Sequence, residues 1–311
     1  MRPDTMFALA QRHGIELQRS DLEQRYDFSN FDDFLQLFLL GLRVLRTGED
    51  FTDAIVALGR ELGEQNVRYA EVTTTAFSHH RRGLAMSEYA AGLNAGRRIA
   101  RERYGVDFGW VIDIPREIEG PDSRFTLDYV TGPNAPDGIV GMGLGGPEPG
   151  NPPEPYAPLF AEARAAGLRS LPHAGETEGA ASVRGAVEQL GAERIGHGVN
   201  AIHDDEVVEL LLERDVHLEV SVSSNVALKV VPDVESHPLP RLLAAGLDVG
   251  LNTDDPAYFS TTLNDELELV ANTFALTRKD LVDLQRAAFR ASTLPEDRRR
   301  TELAALDAIP V

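Results

Sequence analysis

Strand-like runs alternate with helical patterns along most of this chain, and that alternation restricts the fold more than any other feature. The runs are VRYAEVTTT (67–75), DFGWVIDI (107–114), GIVGMGLG (138–145), LRSLPH (168–173), ERIGHG (193–198), HLEVSVSS (217–224) and LDVGLNT (247–253). Each is short, rich in β-branched and apolar residues, and bounded by Gly, Asp, Asn or Pro. Between most of them lie stretches such as YAPLFAEARAAG, ASVRGAVEQLG and DEVVELLLERD, whose apolar residues recur at three and four and which tend to end at Gly. Strand, helix, strand at roughly 25 to 40 residues is the signature of parallel βαβ units, and this many in one chain predicts an α/β fold of the (β/α)₈ barrel type. The loop richest in Pro and Gly, GGPEPGNPPEPYAP at 145–158, is too short for a domain linker, so residues 1–311 are expected to form one barrel domain. Seven runs are present where a closed barrel needs eight, and the gap falls at the amino terminus.

A barrel of this kind takes its chemistry from the carboxyl ends of its strands. His173 and Glu176 end the fourth run in LPHAGETEG, and His197 ends the fifth in RIGHG. Ser224 and Asn225 end the sixth, and Asp254 with Asp255 ends the seventh in LNTDDP. Each has a plainer explanation when taken alone. A strand-end histidine usually bonds backbone, Asp-Asp-Pro makes a good turn, and Ser-Asn commonly caps a turn or helix, which is the reading preferred for Ser224 and Asn225. Independent turn residues would not be expected to place two His, one Glu and two Asp at consecutive strand ends, so the set reads as an active site.

Composition narrows the chemistry. There is no cysteine, so disulfides and thiolate metal sites are excluded, and any metal falls to His, Asp and Glu. Imidazole with carboxylates suits a divalent ion such as zinc, which makes hydroxide available at ordinary pH, with Glu176 near enough to His173 in sequence to act as general acid or base. The formal charge of −20, with no basic block, argues against nucleic acid or an anionic membrane as partner and for a small molecule. The first residues lack a basic start and apolar core, and no stretch approaches the roughly 20 apolar residues of a membrane span, so a cytoplasmic location is expected.

The motifs LPHAGE, RIGHG, SSNV and LNTDDPAYFSTTLNDE, in that order, resemble the adenosine deaminase family of the amidohydrolase superfamily. The resemblance extends to RPDTMFALAQRHGI, YDFSNFDDFLQLF and EQNVRYAEV, and so covers nearly the whole chain. It implies a barrel that binds one zinc ion and replaces the 6-amino group of an adenine-type base with oxygen, releasing ammonia. By that resemblance His173 is a zinc ligand, and Asp254 is a further ligand that also helps deprotonate the nucleophilic water. Glu176 gives a proton to the purine ring nitrogen beside the attacked carbon, and His197 holds the attacking oxygen. Asp255 and the Gly146 backbone bind other edges of the purine. Arg81 and Arg82 in VTTTAFSHHRRG would face the same mouth, where they either bind a substrate carboxylate or remain solvated loop charges. With GLGGPE, that stretch looks more like the members acting on 6-aminodeoxyfutalosine than the animal-type adenosine deaminases.

The family also places a His-x-His pair of zinc ligands on its first strand, ahead of the segment that matches MRPDTMFALAQRHG, which here opens the sequence. The only early histidine, His13, sits alone in a helical pattern and is assigned to the helix surface. Either the chain starts late or the strand has been lost; the intact remaining residues favour the first. With two family ligands, weak or absent metal and little activity are expected, and an unpaired barrel edge would favour self-association. A reading from another class is a catalytically silent purine-binding protein on the same scaffold. Zinc deaminases built on H-x-E with P-C-x-x-C are excluded by the lack of cysteine.

Overall fold

The strands form where β-branched and aromatic residues concentrate, and the most complete is also the most apolar. The computed structural model describes residues 1–28, 31–118 and 120–310, so Ser29 and Asn30 of YDFSNFDDFLQLF lie outside the described residues. Its strands are β1 (Tyr69–Thr74), β2 (Asp107–Pro115), β3 (Ile139–Gly145), β4 (Arg169–Ser170), β5 (His173–Ala174), β6 (Arg194–His197), β7 (His217–Val220) and β8 (Val249–Leu251). All pairings are parallel, in the orders β1-β2-β3-β4 and β5-β6-β7-β8. β2 is buried over all but its last residue, as a parallel strand covered on both faces must be.

β4 and β5 are two halves of one run, LRSLPHA, interrupted at Leu171–Pro172. Proline lacks the N–H that would continue the ladder. The flanking groups bridge the gap, because Leu171 N–H donates to the Met142 carbonyl at 3.0 Å and Gly196 N–H donates to the Pro172 carbonyl at 3.0 Å. The eight segments therefore occupy the seven expected strand positions in expected order. One run differs: β7 stops at Val220, and Val222–Ala227 is helical, although VSVSS alternates like a strand. Helices flank the strands; Asp205–Glu213, for example, is started by Asp204, whose side chain accepts from the Glu206 and Val207 N–H groups.

Helices Pro3–Arg12, Arg19–Arg25, Phe31–Val44 and Gly48–Glu64 precede β1. The first three pack around Met6, Leu9, Leu22, Leu37 and Val44, together with Tyr258 from the loop beyond β8. His13 is no free surface group. Its Nε2 lies 2.7 Å from the buried Asp50 carboxylate, which also receives Arg12 at 2.8 Å and the Thr47 N–H at 2.8 Å. Among the described residues no helix is long and apolar enough to cross a membrane.

A buried ion network ties the amino-terminal ends of the strands together. Arg194 on β6 pairs with Glu71 on β1 and, at 2.7 Å, with Glu219 on β7; its Nη1 also donates to the Ala291 carbonyl at 2.7 Å. Glu71 in turn accepts from the Thr293 N–H and hydroxyl, both at 2.7 Å. Arg194→Met leaves two carboxylates facing a low-dielectric interior, so it is expected to destabilise the fold by about 3–5 kcal/mol. Urea unfolding measures this, and combining it with Glu71→Gln and Glu219→Gln should restore most of the loss.

Candidate active site

At the opposite, carboxyl-terminal ends of the strands the titratable side chains gather. His173 opens β5, with Gly175 (φ 67°) and Glu176 just beyond it; His197 closes β6; Asp254 lies in the loop after β8. His173, His197 and Asp254 each offer one ligand-type atom, and the three atoms lie within 4.8 Å of one another. His197 Nε2 stands 3.7 Å from Glu176 Oε1 and 3.9 Å from Asp254 Oδ2. Both His197 (φ 66°) and Asp254 (φ 54°) adopt the left-handed conformation, which costs a non-glycine residue about 1–2 kcal/mol. Strain of this kind persists where the surroundings hold a side chain in a required direction.

The residues fit a metal such as zinc. His173 Nδ1 is buried without a hydrogen-bond partner, and its ring has room because residue 196 is glycine: a Cβ there would stand 2.9 Å from His173 Cδ2. Asp254 is oriented by the Ser224 hydroxyl, which donates to Oδ2 at 2.7 Å. An imidazole nitrogen and a carboxylate oxygen form a donor pair that zinc accepts, one short of the three protein ligands usual in a catalytic zinc site.

Ser224 and Asn225 correct the capping reading. Both lie inside the helix Val222–Ala227, fully buried, and point at the site: Ser224 to Asp254, and Asn225 to His197 Nδ1 at 3.2 Å.

The electrostatics separate the roles the carboxyls can play. Burial raises the Glu176 pKa above the ordinary carboxyl range; His197 opposes this and Asp254 reinforces it, leaving a net rise. Asp255 is pushed up to about 7 by its enclosure and by the charge of Asp254. A carboxyl shifted in this direction holds its proton to higher pH than an ordinary one and is the better proton donor. For His197, burial works against the second proton, but Glu176 and Asp254 outweigh it and the pKa is raised.

Three further residues shape the site and went unmarked in the sequence. Glu148, in the turn beyond β3, reaches across to the loop after β5. Its Oε2 accepts from Gly175 N–H at 2.8 Å and the Ser182 hydroxyl at 2.6 Å, and its Oε1 accepts from the N–H groups of Glu176 at 2.8 Å and Thr177 at 3.0 Å. These bonds hold its pKa below the ordinary value even though burial pushes the other way. Arg116, also buried, donates to the His173 carbonyl at 2.7 Å and the Asn151 carbonyl at 2.6 Å. Asp113 on β2 is raised by burial, and its Oδ1 has no hydrogen-bond partner. The one available signal was the Pro147–Glu148–Pro149 context: an acid within a rigid turn is well placed to reach a neighbour.

The remaining candidates are more peripheral. Gly146 (φ 95°) takes a conformation that favours glycine, directly after β3 and beside Glu117 and Arg116. Arg81 and Arg82 follow the short helix Ala76–His80 and are exposed, and Arg81 lies 5.8 Å over the Phe77 ring. Neither shows a hydrogen bond to the histidines or carboxylates above.

The family model of adenosine deaminase matches residues 1–309. The chain belongs to the adenosine deaminase family. Among members of that family, it is similar to the aminodeoxyfutalosine deaminase of Streptomyces avermitilis, at 37% identity over 94% of this chain and 83% of the relative. It is also similar to the solved structure of an adenine deaminase from Arthrobacter aurescens, with a TM-score of 0.93 and 33% identity over 98% of this chain and 94% of that one. An amidohydrolase from Burkholderia ambifaria, solved with bound Zn, aligns with a TM-score of 0.90 at 25% identity over 99% of this chain and 86% of its own. The fold is thus that of the metal-dependent deaminases, hydrolases acting on a C–N bond.

Proposed function

We propose that this adenosine deaminase family member hydrolyses the 6-amino group of a 6-aminopurine nucleoside, adenosine or a close analogue, to the 6-oxo product and ammonia. The carrying observation is the convergence of His173, Glu176, His197 and Asp254 at one end of a parallel barrel, with Glu176 biased toward its protonated form. Glu176 would give its proton to the ring nitrogen beside the attacked carbon, making that carbon more electrophilic. His197 would hold the incoming oxygen by a hydrogen bond, while Asp255 and the Gly146 backbone would fix other purine edges. His173 and Asp254 would hold zinc, which when bound lowers the pKa of water toward neutrality.

Two observations bear on the substrate. Exposed Arg81 and Arg82 beyond β1 would suit a nucleoside bearing a carboxylate, in keeping with the Streptomyces avermitilis relative named for aminodeoxyfutalosine. The Arthrobacter aurescens structure, named for adenine, favours the free base as a second reading. The test is ammonia release from adenosine, aminodeoxyfutalosine and adenine by the zinc-supplemented chain, with bound zinc measured after dialysis. Turnover of a nucleoside at least about 10-fold above adenine is expected. Preference for adenine moves the assignment to the base, and retained purine binding without turnover or zinc identifies a silent binding protein.

A further inference from the structure

Behind His197 a chain of three hydrogen bonds runs from the backbone to the active site, and the donor in each can be assigned. A backbone N–H can only donate. Leu239 N–H points at His237 Nδ1 at 3.0 Å, so that nitrogen is the acceptor and the neutral ring carries its proton on Nε2. His237 Nε2 then donates to Asn225 Oδ1 at 3.0 Å, which fixes which end of the amide is oxygen. The Asn225 amide nitrogen is left to donate to His197 Nδ1 at 3.2 Å. All four residues are buried: Asn225 and Leu239 are 0% exposed, and His197 and His237 are 3% exposed. Water therefore has little access to substitute for any partner. Burial is the main cause that holds the His237 pKa down at about 4, so near neutral pH His237 has one N–H and its direction is settled.

We infer that the Leu239 N–H, His237 and Asn225 act as a tautomer lock, positioning residues that fix His197 with its proton on Nε2. That proton faces Glu176 and Asp254, the space a reacting oxygen would occupy. Two consequences follow. His197 enters the reaction as a hydrogen-bond donor, and its Nε2 lone pair is withheld from a metal although the atom stands 3.9 Å from Asp254 Oδ2. That agrees with His173 and Asp254 as the metal-holding pair of the proposed function. The inference rests on the proposed function only for what the proton is used for; the lock itself can be read without substrate or metal.

The test is the nitrogen-15 spectrum of histidine-labelled, metal-free protein, with the His197 signals assigned by their loss in His197→Gln. In the unsubstituted chain, at a pH above the raised His197 pKa where the ring is neutral, His197 is expected to show a protonated Nε2 and an unprotonated Nδ1. Asn225→Asp replaces the donor amide with a carboxylate that accepts from both rings, so the His197 pattern should invert to protonated Nδ1. His237→Phe leaves the Asn225 amide free to turn, and a mixture of tautomers is expected. Protonated Nδ1 with unprotonated Nε2 in the neutral ring of the unsubstituted chain would overturn the lock, even if neither variant folds. An unchanged His197 pattern in both variants, with thermal unfolding showing that they fold, would overturn it as well. Failure of deamination with the expected spectra would count against the proposed reaction and leave the lock standing.

Discussion

Glu176→Gln is expected to lower deamination by about 10²–10⁴-fold, the usual worth of a positioned general acid. The substitution keeps shape and backbone, so the Glu176 N–H still donates to Glu148 and the loop should stay in place. What disappears is a carboxyl whose pKa burial raises, close to His197. The measurement is kcat on the best substrate, alongside thermal unfolding of both proteins. A variant with unchanged stability and more than a tenth of the original rate would remove Glu176 from the role of proton donor.

Glu148 carries an expected effect on stability as large as that of Arg194. Its carboxylate is the shared acceptor for three backbone N–H groups and the Ser182 hydroxyl. Glu148→Ala leaves the Gly175 N–H and the Ser182 hydroxyl unpaired in a buried place and takes the acceptor from the part-buried Glu176 and Thr177 N–H groups, at about 1–3 kcal/mol for each that cannot relax, and a net loss of about 3–5 kcal/mol is expected. Glu148→Gln should cost nearly as much, because its amide turns an N–H toward groups that are themselves donors. The pH dependence has a definite sign. Since the folded pKa lies below the ordinary 4.5, the Glu148 contribution is fully present above pH 4.5 and is lost as pH falls through the lower folded value. Urea midpoints taken on either side of pH 4.5 would show the gap between the native chain and Glu148→Ala narrowing on acidification. A constant gap would mean that shape, and not charge, is what Glu148 supplies.

These two residues mark where the sequence was readable. His173, Glu176, His197 and Asp254 stand at or just beyond the ends of apolar, β-branched runs, and a parallel barrel brings successive strand ends together whatever the loops contain. Knowing the runs was therefore enough to know that these side chains share one end. Glu148, Asn225, Arg116 and His237 act through partners many positions away: Glu148 binds Gly175 and Glu176, and Asn225 binds both His197 and His237. Such pairs depend on how loops fold over the mouth, which local periodicity does not encode. The helix Val222–Ala227 shows the complementary limit. VSVSS has a strand's alternation and β-branched content, yet tertiary packing turns its second half helical and brings Ser224 and Asn225 around to the site.

The left-handed backbone at His197 and Asp254 has a bearing on how the scaffold would change under selection. Glycine fits those dihedrals without a steric cost, and asparagine tolerates them. Random variants sorted for heat resistance alone, with no demand for turnover, should therefore drift toward Gly at positions 197 and 254, discarding the side chains proposed to hold oxygen and metal while the molecule becomes harder to melt. A library screened for solubility or yield would be working against its own purpose at these two places, and fixing them before diversification is the remedy.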